Sequence, residues 1–100
     1  MNENLIAERE LLIKPGDTIL ETIKHLKLSQ VELAARMDIT PPKVNDLISG
    51  KEPITMKTAI KLEKVLGVPR QFWLNSEISY RDELSRIEQE EFLEQNLLHC

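Results

Sequence analysis

Apolar residues recur every three or four positions through most of this chain, a spacing that predicts helices rather than strands. Ile19, Leu20, Ile23 and Leu26 follow Pro15-Gly16-Asp17. Proline suits the first turn of a helix and an aspartate there favours its dipole. A helix is therefore expected from Pro15 to near Lys27. Ser29 with Glu32 three residues later forms a capping box, opening a second helix with Val31, Leu33, Ala34 and Met37 as its apolar positions. That helix is short, because Thr40 is a second N-cap with Pro41 at the next first-turn position. Val44, Leu47 and Ile48 then fall on one face, and Ser49-Gly50 closes the third helix. Thr55 caps a fourth, with Ile54 stapled onto Ala59. Ala59, Leu62 and Leu66 form its inner stripe, and Gly67 stops it. Pro69 starts a fifth helix carrying Phe72, Trp73 and Leu74. A separate last helix is expected around Tyr80, Leu84 and Ile87, fraying after about Glu91. Leu11-Leu12-Ile13 reads either as a short strand or as part of a docking helix. The fold class is all-α, a bundle of five or six helices. It divides into an N-terminal extension (1–13), a domain over 14–82 and an acidic helix or tail (83–100).

Composition adds limits. With 100 residues and 41% hydrophobic content, the chain suits one domain with a modest core and does not read as disordered. No apolar run approaches the roughly 20 residues of a membrane span. Residues 1–10 lack the basic and apolar regions of a signal peptide. The single cysteine, Cys100, has no internal disulfide partner. A cytoplasmic location and no membrane partner are the expectation. The net charge of −4 at first argues against polyanion binding, but its distribution does not. Residues 14–70 hold ten Lys or Arg against seven Asp or Glu, a balance of +3, while residues 71–100 hold two against seven, a balance of −5. Phosphate binding depends on local cations, so the middle is where a nucleic-acid surface would lie.

The two short helices about Asp38 have the form of a helix-turn-helix. Ala34 is small enough for a close crossing, and Asp38 tolerates the positive φ a tight turn needs. With Val44, Leu47 and Ile48 turned inward, Pro41, Pro42, Lys43, Asn45, Asp46 and Ser49 are left outward. In such a unit the start of the second helix enters a major groove. Gln30 and the free N–H groups beside it can donate to a phosphate. Thr40 can cap its helix or touch a phosphate. Lys43 can reach a phosphate or a guanine edge, Asn45 can pair with adenine, and Asp46 can accept from cytosine N4. Pro41 and Pro42 offer apolar contact to a thymine methyl, and Lys51 suits the DNA backbone. The blander alternative is a helical scaffold: Phe72 and Trp73 as packing, the tail's Asp82, Glu83, Glu88, Glu90, Glu91 and Glu94 as a solvated face, His25 as a surface residue. No catalytic triad, phosphate loop or metal-ligand spacing is present, so no enzyme activity and no cofactor are expected. His99-Cys100 could only bind stray metal or oxidise.

Leu28-Ser29-Gln30-Val31-Glu32-Leu33-Ala34, Ile39-Thr40 and Val44-Asn45-Asp46-Leu47-Ile48-Ser49-Gly50-Lys51 resemble the phage Cro/C1-repressor type of helix-turn-helix, the XRE family. Pro15-Gly16-Asp17-Thr18-Ile19-Leu20, Ile54-Thr55-Met56-Lys57-Thr58-Ala59, Leu66-Gly67, Phe72-Trp73-Leu74-Asn75 and Tyr80 resemble HigA-type antitoxins, also called virulence-associated protein I. That similarity spans about residues 15–82. It implies a lambda-repressor-like fold and a homodimer on an inverted repeat in its own promoter. It also implies a partner, a messenger-RNA-cleaving toxin of RelE-like fold. Gln30, Thr40, Pro41, Pro42, Lys43, Asn45 and Lys51 fall at the family's DNA-facing positions. The sequence departs from the family at Asp38, usually Gly, at Pro42-Lys43, and at Gly50-Lys51-Glu52, usually more basic. Two other readings stay open: a stand-alone phage-type regulator without a toxin, and a helical protein-interaction module.

Overall fold

The computed structural model describes residues 3–98. Six helices follow in order, α1 (Glu3–Leu11), α2 (Pro15–His25), α3 (Gln30–Met37), α4 (Pro41–Ser49), α5 (Met56–Leu66) and α6 (Arg70–Leu98), and no strand occurs among the described residues. His99-Cys100, for which stray metal binding was considered, lies outside the described residues. Among the described residues no helix is long and apolar enough to cross a membrane.

The chain separates into two compact units. One is Lys14–Glu77; the other joins α1 to the part of α6 from Ile78 onward. In the first, Ile19, Ile23, Leu33, Ala34, Met37, Val44, Leu47, Ile54, Ala59, Leu62, Leu66 and Trp73 form one buried apolar cluster. Each helix in it starts and stops where local chemistry dictates. The Lys14 N–H donates to the Asp17 carboxylate at 3.0 Å, opening α2. The Ser29 and Glu32 side chains each accept from the other's backbone N–H, at 3.0 and 3.2 Å, opening α3. Thr55 Oγ1 accepts from Thr58 N–H at 3.3 Å, opening α5. At the far ends of α2 and α3, Lys27 (φ 59) and Asp38 (φ 56) take the left-handed conformation usually left to glycine. Each is held by a pair of bonds. Leu28 N–H reaches Ile23 O at 2.8 Å and Lys27 N–H reaches Lys24 O; Ile39 N–H reaches Ala34 O at 3.0 Å and Asp38 N–H reaches Ala35 O. This double closure offsets the strain of a left-handed side chain. Gly16 has a different reason to be glycine: a Cβ there would strike the Ile48 backbone, so α2 can approach α4 closely only without one.

The structure corrects several sequence expectations. Leu20, Leu26 and Val31 share the apolar spacing but are exposed, and Ile48 is only half-buried. Leu11-Leu12-Ile13 is not a strand; α1 ends at Leu11, with Leu12 N–H donating to Arg9 O at 3.3 Å. The expected fifth and last helices are a single 29-residue helix that neither breaks at Asn75 nor ends near Glu91. The reason is local. After Pro69 the sequence has no Gly or Pro. Bonds one turn apart stitch the helix along its length, Gln71 to Asn75 at 2.9 Å and Arg86 to Glu90 at 2.8 Å.

Candidate nucleic-acid interface

The pair α3–α4 is joined by Asp38-Ile39-Thr40, with Ala34 buried on α3. Helix α4 begins at Thr40, whose Oγ1 accepts from Lys43 N–H at a long 3.4 Å, and Pro41 and Pro42 occupy its first turn. An α-helix turns about 100° per residue. With Val44 and Leu47 buried, the residues diametrically opposite are Pro42 and Ser49, flanked by Asn45 and Asp46. Pro41, Pro42, Lys43, Asn45 and Ser49 are exposed, as is Thr40. Pro42, Asn45 and Ser49 form an outward strip along α4, Pro41 and Lys43 are exposed on its two flanks in the first turn, and Lys51 is exposed just past its end.

Two placements differ from the sequence reading. Asp46 is half-buried rather than fully outward. Its backbone oxygen accepts from Ser49 Oγ at 3.2 Å and from Glu52 N–H at 3.1 Å, closing the end of the helix. Gln30 is half-buried at the first position of α3. Lys43, the one cation within α4, has its ammonium 4.0 Å from the Glu52 carboxylate. Both side chains are about half exposed, so this is a weak pair that a phosphate could displace.

Sequence reasoning missed three residues that shape this surface. Glu52 sits where its carboxylate meets Lys43. Glu77 is buried on α6, and its Oε1 accepts the Ile54 N–H at 2.9 Å. Gly16 sets the approach of α2 to α4. Only Gly16 carried a signal, as a poor helix former inside the first turn of a helix. On the far side of α5, Glu63 accepts from Arg70 N–H at 2.6 Å and from its guanidinium at 2.7 and 3.0 Å. The Arg70 side chain, then its N–H, hold the Glu63 carboxyl below the usual carboxylate range. Among the described residues no group of three or more His, Cys, Asp or Glu could hold a metal ion.

Two short helices about a left-handed turn, a buried alanine at their crossing and a solvent-facing strip on the second define a helix-turn-helix domain. A family model described as Helix-turn-helix matches residues 19–73, and the chain belongs to that family. Among curated relatives, the HTH-type transcriptional regulator YddM of Escherichia coli (strain K12) is 42% identical over 62 residues, 62% of this chain and 66% of its own length. Virulence-associated protein I of Dichelobacter nodosus is 32% identical over 69 residues, 68% of this chain and 64% of its own. This chain thus spans about two thirds of the length of those relatives. Among solved structures, an addiction module antidote protein of the HigA family from Coxiella burnetii superposes with a TM-score of 0.74 at 29% identity, covering 84% of this chain and 92% of that one. The antitoxin HigA of Pseudomonas aeruginosa, solved with the higBA promoter, gives 0.74 at 25% identity over the same shares. The resemblance to HigA-type antitoxins and to virulence-associated protein I is met by relatives of both names.

Proposed function

We propose that this protein is a sequence-specific DNA-binding repressor of its own promoter, and the antitoxin of a HigA-type toxin–antitoxin pair. The observation that carries the DNA reading is the outward strip of α4. It brings apolar Pro41 and Pro42, cationic Lys43 and hydrogen-bonding Asn45 and Ser49 to the exposed side of a helix whose Val44 and Leu47 are buried. Such a face is rigid because its inner half is locked in the core, and rigidity is what lets side chains meet fixed base edges. In this reading Asn45, Lys43 and Asp46 address base edges, Pro41 and Pro42 pack on thymine methyls, and Gln30, Thr40, Ser49 and Lys51 meet the backbone. Residues 14–82 carry the docking. A homodimer would set two copies of α4 in successive major grooves, roughly 34 Å apart.

The antitoxin part is supported by the likeness to HigA proteins, one of them solved with its promoter. Co-purification of the chain with the product of the neighbouring gene tests it. A small basic ribonuclease that is silenced in the complex supports the antitoxin reading. A chain that represses its promoter with no such neighbour is a stand-alone regulator.

A further inference from the structure

The link between α4 and α5, residues 50–55, carries Lys51 and Glu52 and is held at defined points. Gly50 closes α4 in the left-handed conformation, φ 85. Glu52 N–H donates back to Asp46 O at 3.1 Å. Pro53 has no N–H to satisfy. Ile54 N–H donates to Glu77 Oε1 at 2.9 Å, across 23 residues of sequence, and Thr55 caps α5. Glu77 is only 8% exposed, and it is the one charged side chain among the buried residues described. Removing a carboxylate from water is costly unless hydrogen bonds compensate it. An apolar residue would fill the same space without that cost. What an apolar residue would not supply is an acceptor for the Ile54 N–H, which is buried along with its side chain.

We propose that Glu77 is a positioning residue for DNA docking: its carboxylate clamps the α4–α5 link at Ile54 and thereby fixes Lys51 where a DNA phosphate can meet it. Lys51 lies between the left-handed Gly50 and Glu52, whose N–H is tied to Asp46 O, with the clamped Ile54 two residues further on. With the clamp removed, the far end of the link keeps only the Glu52 bond and the buried Ile54 side chain. The link gains freedom that must be given up again on binding, so the phosphate contact weakens while the core of α4 is untouched. The inference rests on the DNA-docking reading of α4.

The test uses the full chain and the variants Glu77→Gln, Glu77→Met, Lys51→Ala and the Glu77→Met/Lys51→Ala pair, with Glu77→Ala in reserve should methionine not pack. Two quantities are read. One is amide hydrogen exchange at Ile54, compared with Val44 and Leu47. The other is affinity for a mixed-sequence duplex of about 30 base pairs as salt is raised. Glu77→Gln keeps an acceptor oxygen and is expected to match the wild type in both. Glu77→Met is expected to speed exchange at Ile54 by about tenfold or more, with Val44 and Leu47 unchanged, and to lower the salt slope by about 1, as loss of one phosphate contact does. Lys51→Ala alone lowers the slope equally, and adding Glu77→Met to it changes affinity less than about twofold. Unchanged exchange at Ile54 in Glu77→Met overturns the proposal, and so do independent, multiplying effects of the two substitutions. A wild type that does not bind the duplex overturns the docking reading itself. That failure is distinct from a wild type that binds and a Glu77→Met chain that binds equally well.

Discussion

The two units of this chain are held by different physics. Lys14–Glu77 closes around Trp73, Leu62 and Ala59, each at 0% exposure, and α3, α4 and α5 each have a side-chain cap at the start and a left-handed residue at the end. The unit formed by α1 and the rest of α6 buries fewer apolar side chains, Leu5 and Ile87 among them, and carries a set of ion pairs. Arg9 meets Glu91 at 2.9 Å, and Arg86 meets Glu8, Glu83 and Glu90 at 3.1, 3.2 and 2.8 Å. These carboxylates raise the pKa of both arginines above the usual value. Large apolar side chains are exposed here in number: Ile6, Leu11, Ile13, Ile78, Phe92, Leu93 and Leu97. Apolar burial is not screened by salt, whereas exposed ion pairs are. A surface that must hold base-reading groups in register is better built on the first kind, and the strip of α4 is.

That contrast can be broken or sharpened by substitution. The largest effect is expected at Trp73. Trp73→Ala empties the centre of the apolar unit and should destabilise it by ~3–5 kcal/mol, read as a lowered urea midpoint. Gly16→Ala comes next. Its methyl collides with the Ile48 backbone, so a cost of ~1–3 kcal/mol is expected, with α4 displaced and DNA affinity falling alongside stability. Ser29→Ala removes half of a capping box and should cost ~1 kcal/mol in thermal unfolding. In the charged unit, Arg86→Ala should speed amide exchange in α1 while leaving Leu47 and Leu62 protected. One molar salt should imitate it, and an equal response in both units would erase the contrast. The smallest effect is at Glu63. Its folded pKa lies below the unfolded value of 4.5, so its contribution is present above 4.5 and fades as pH falls below that through the folded value. Protection of the Arg70 amide, measured against its intrinsic exchange rate at each pH, should fall over that interval in the wild type and not in Glu63→Gln.

The first unit was far more legible in the sequence than the second. Ser29, Thr40 and Thr55 announce helix starts because a short hydroxyl can reach the orphan N–H groups, and Gly50 and Gly67 announce stops because a positive φ suits them. Which apolar residue faces inward was less legible. Leu20 and Val31 share a helical spacing with buried neighbours, and only the position of a second helix decides between them. The continuity of α6 was less legible for a related reason: its charged half has only the thin stripe of Tyr80, Leu84 and Ile87, and its length also rests on pairs one turn apart that periodicity does not weigh. At the candidate site the outward residues of α4 were legible from the sequence. The half-burial of Asp46, the Lys43–Glu52 pair and the Glu77 clamp were not, since each depends on a partner brought near by folding.

The central claim is that the outer strip of α4 docks on DNA. Its most direct test is retention of a duplex spanning the protein's own promoter, measured for the wild type and for Lys43→Ala/Asn45→Ala at low and at high salt. The account predicts wild-type binding that falls steeply with salt, and loss of retention in the double variant at unchanged thermal stability. Equal retention by the two proteins, or wild-type binding indifferent to salt, would contradict it.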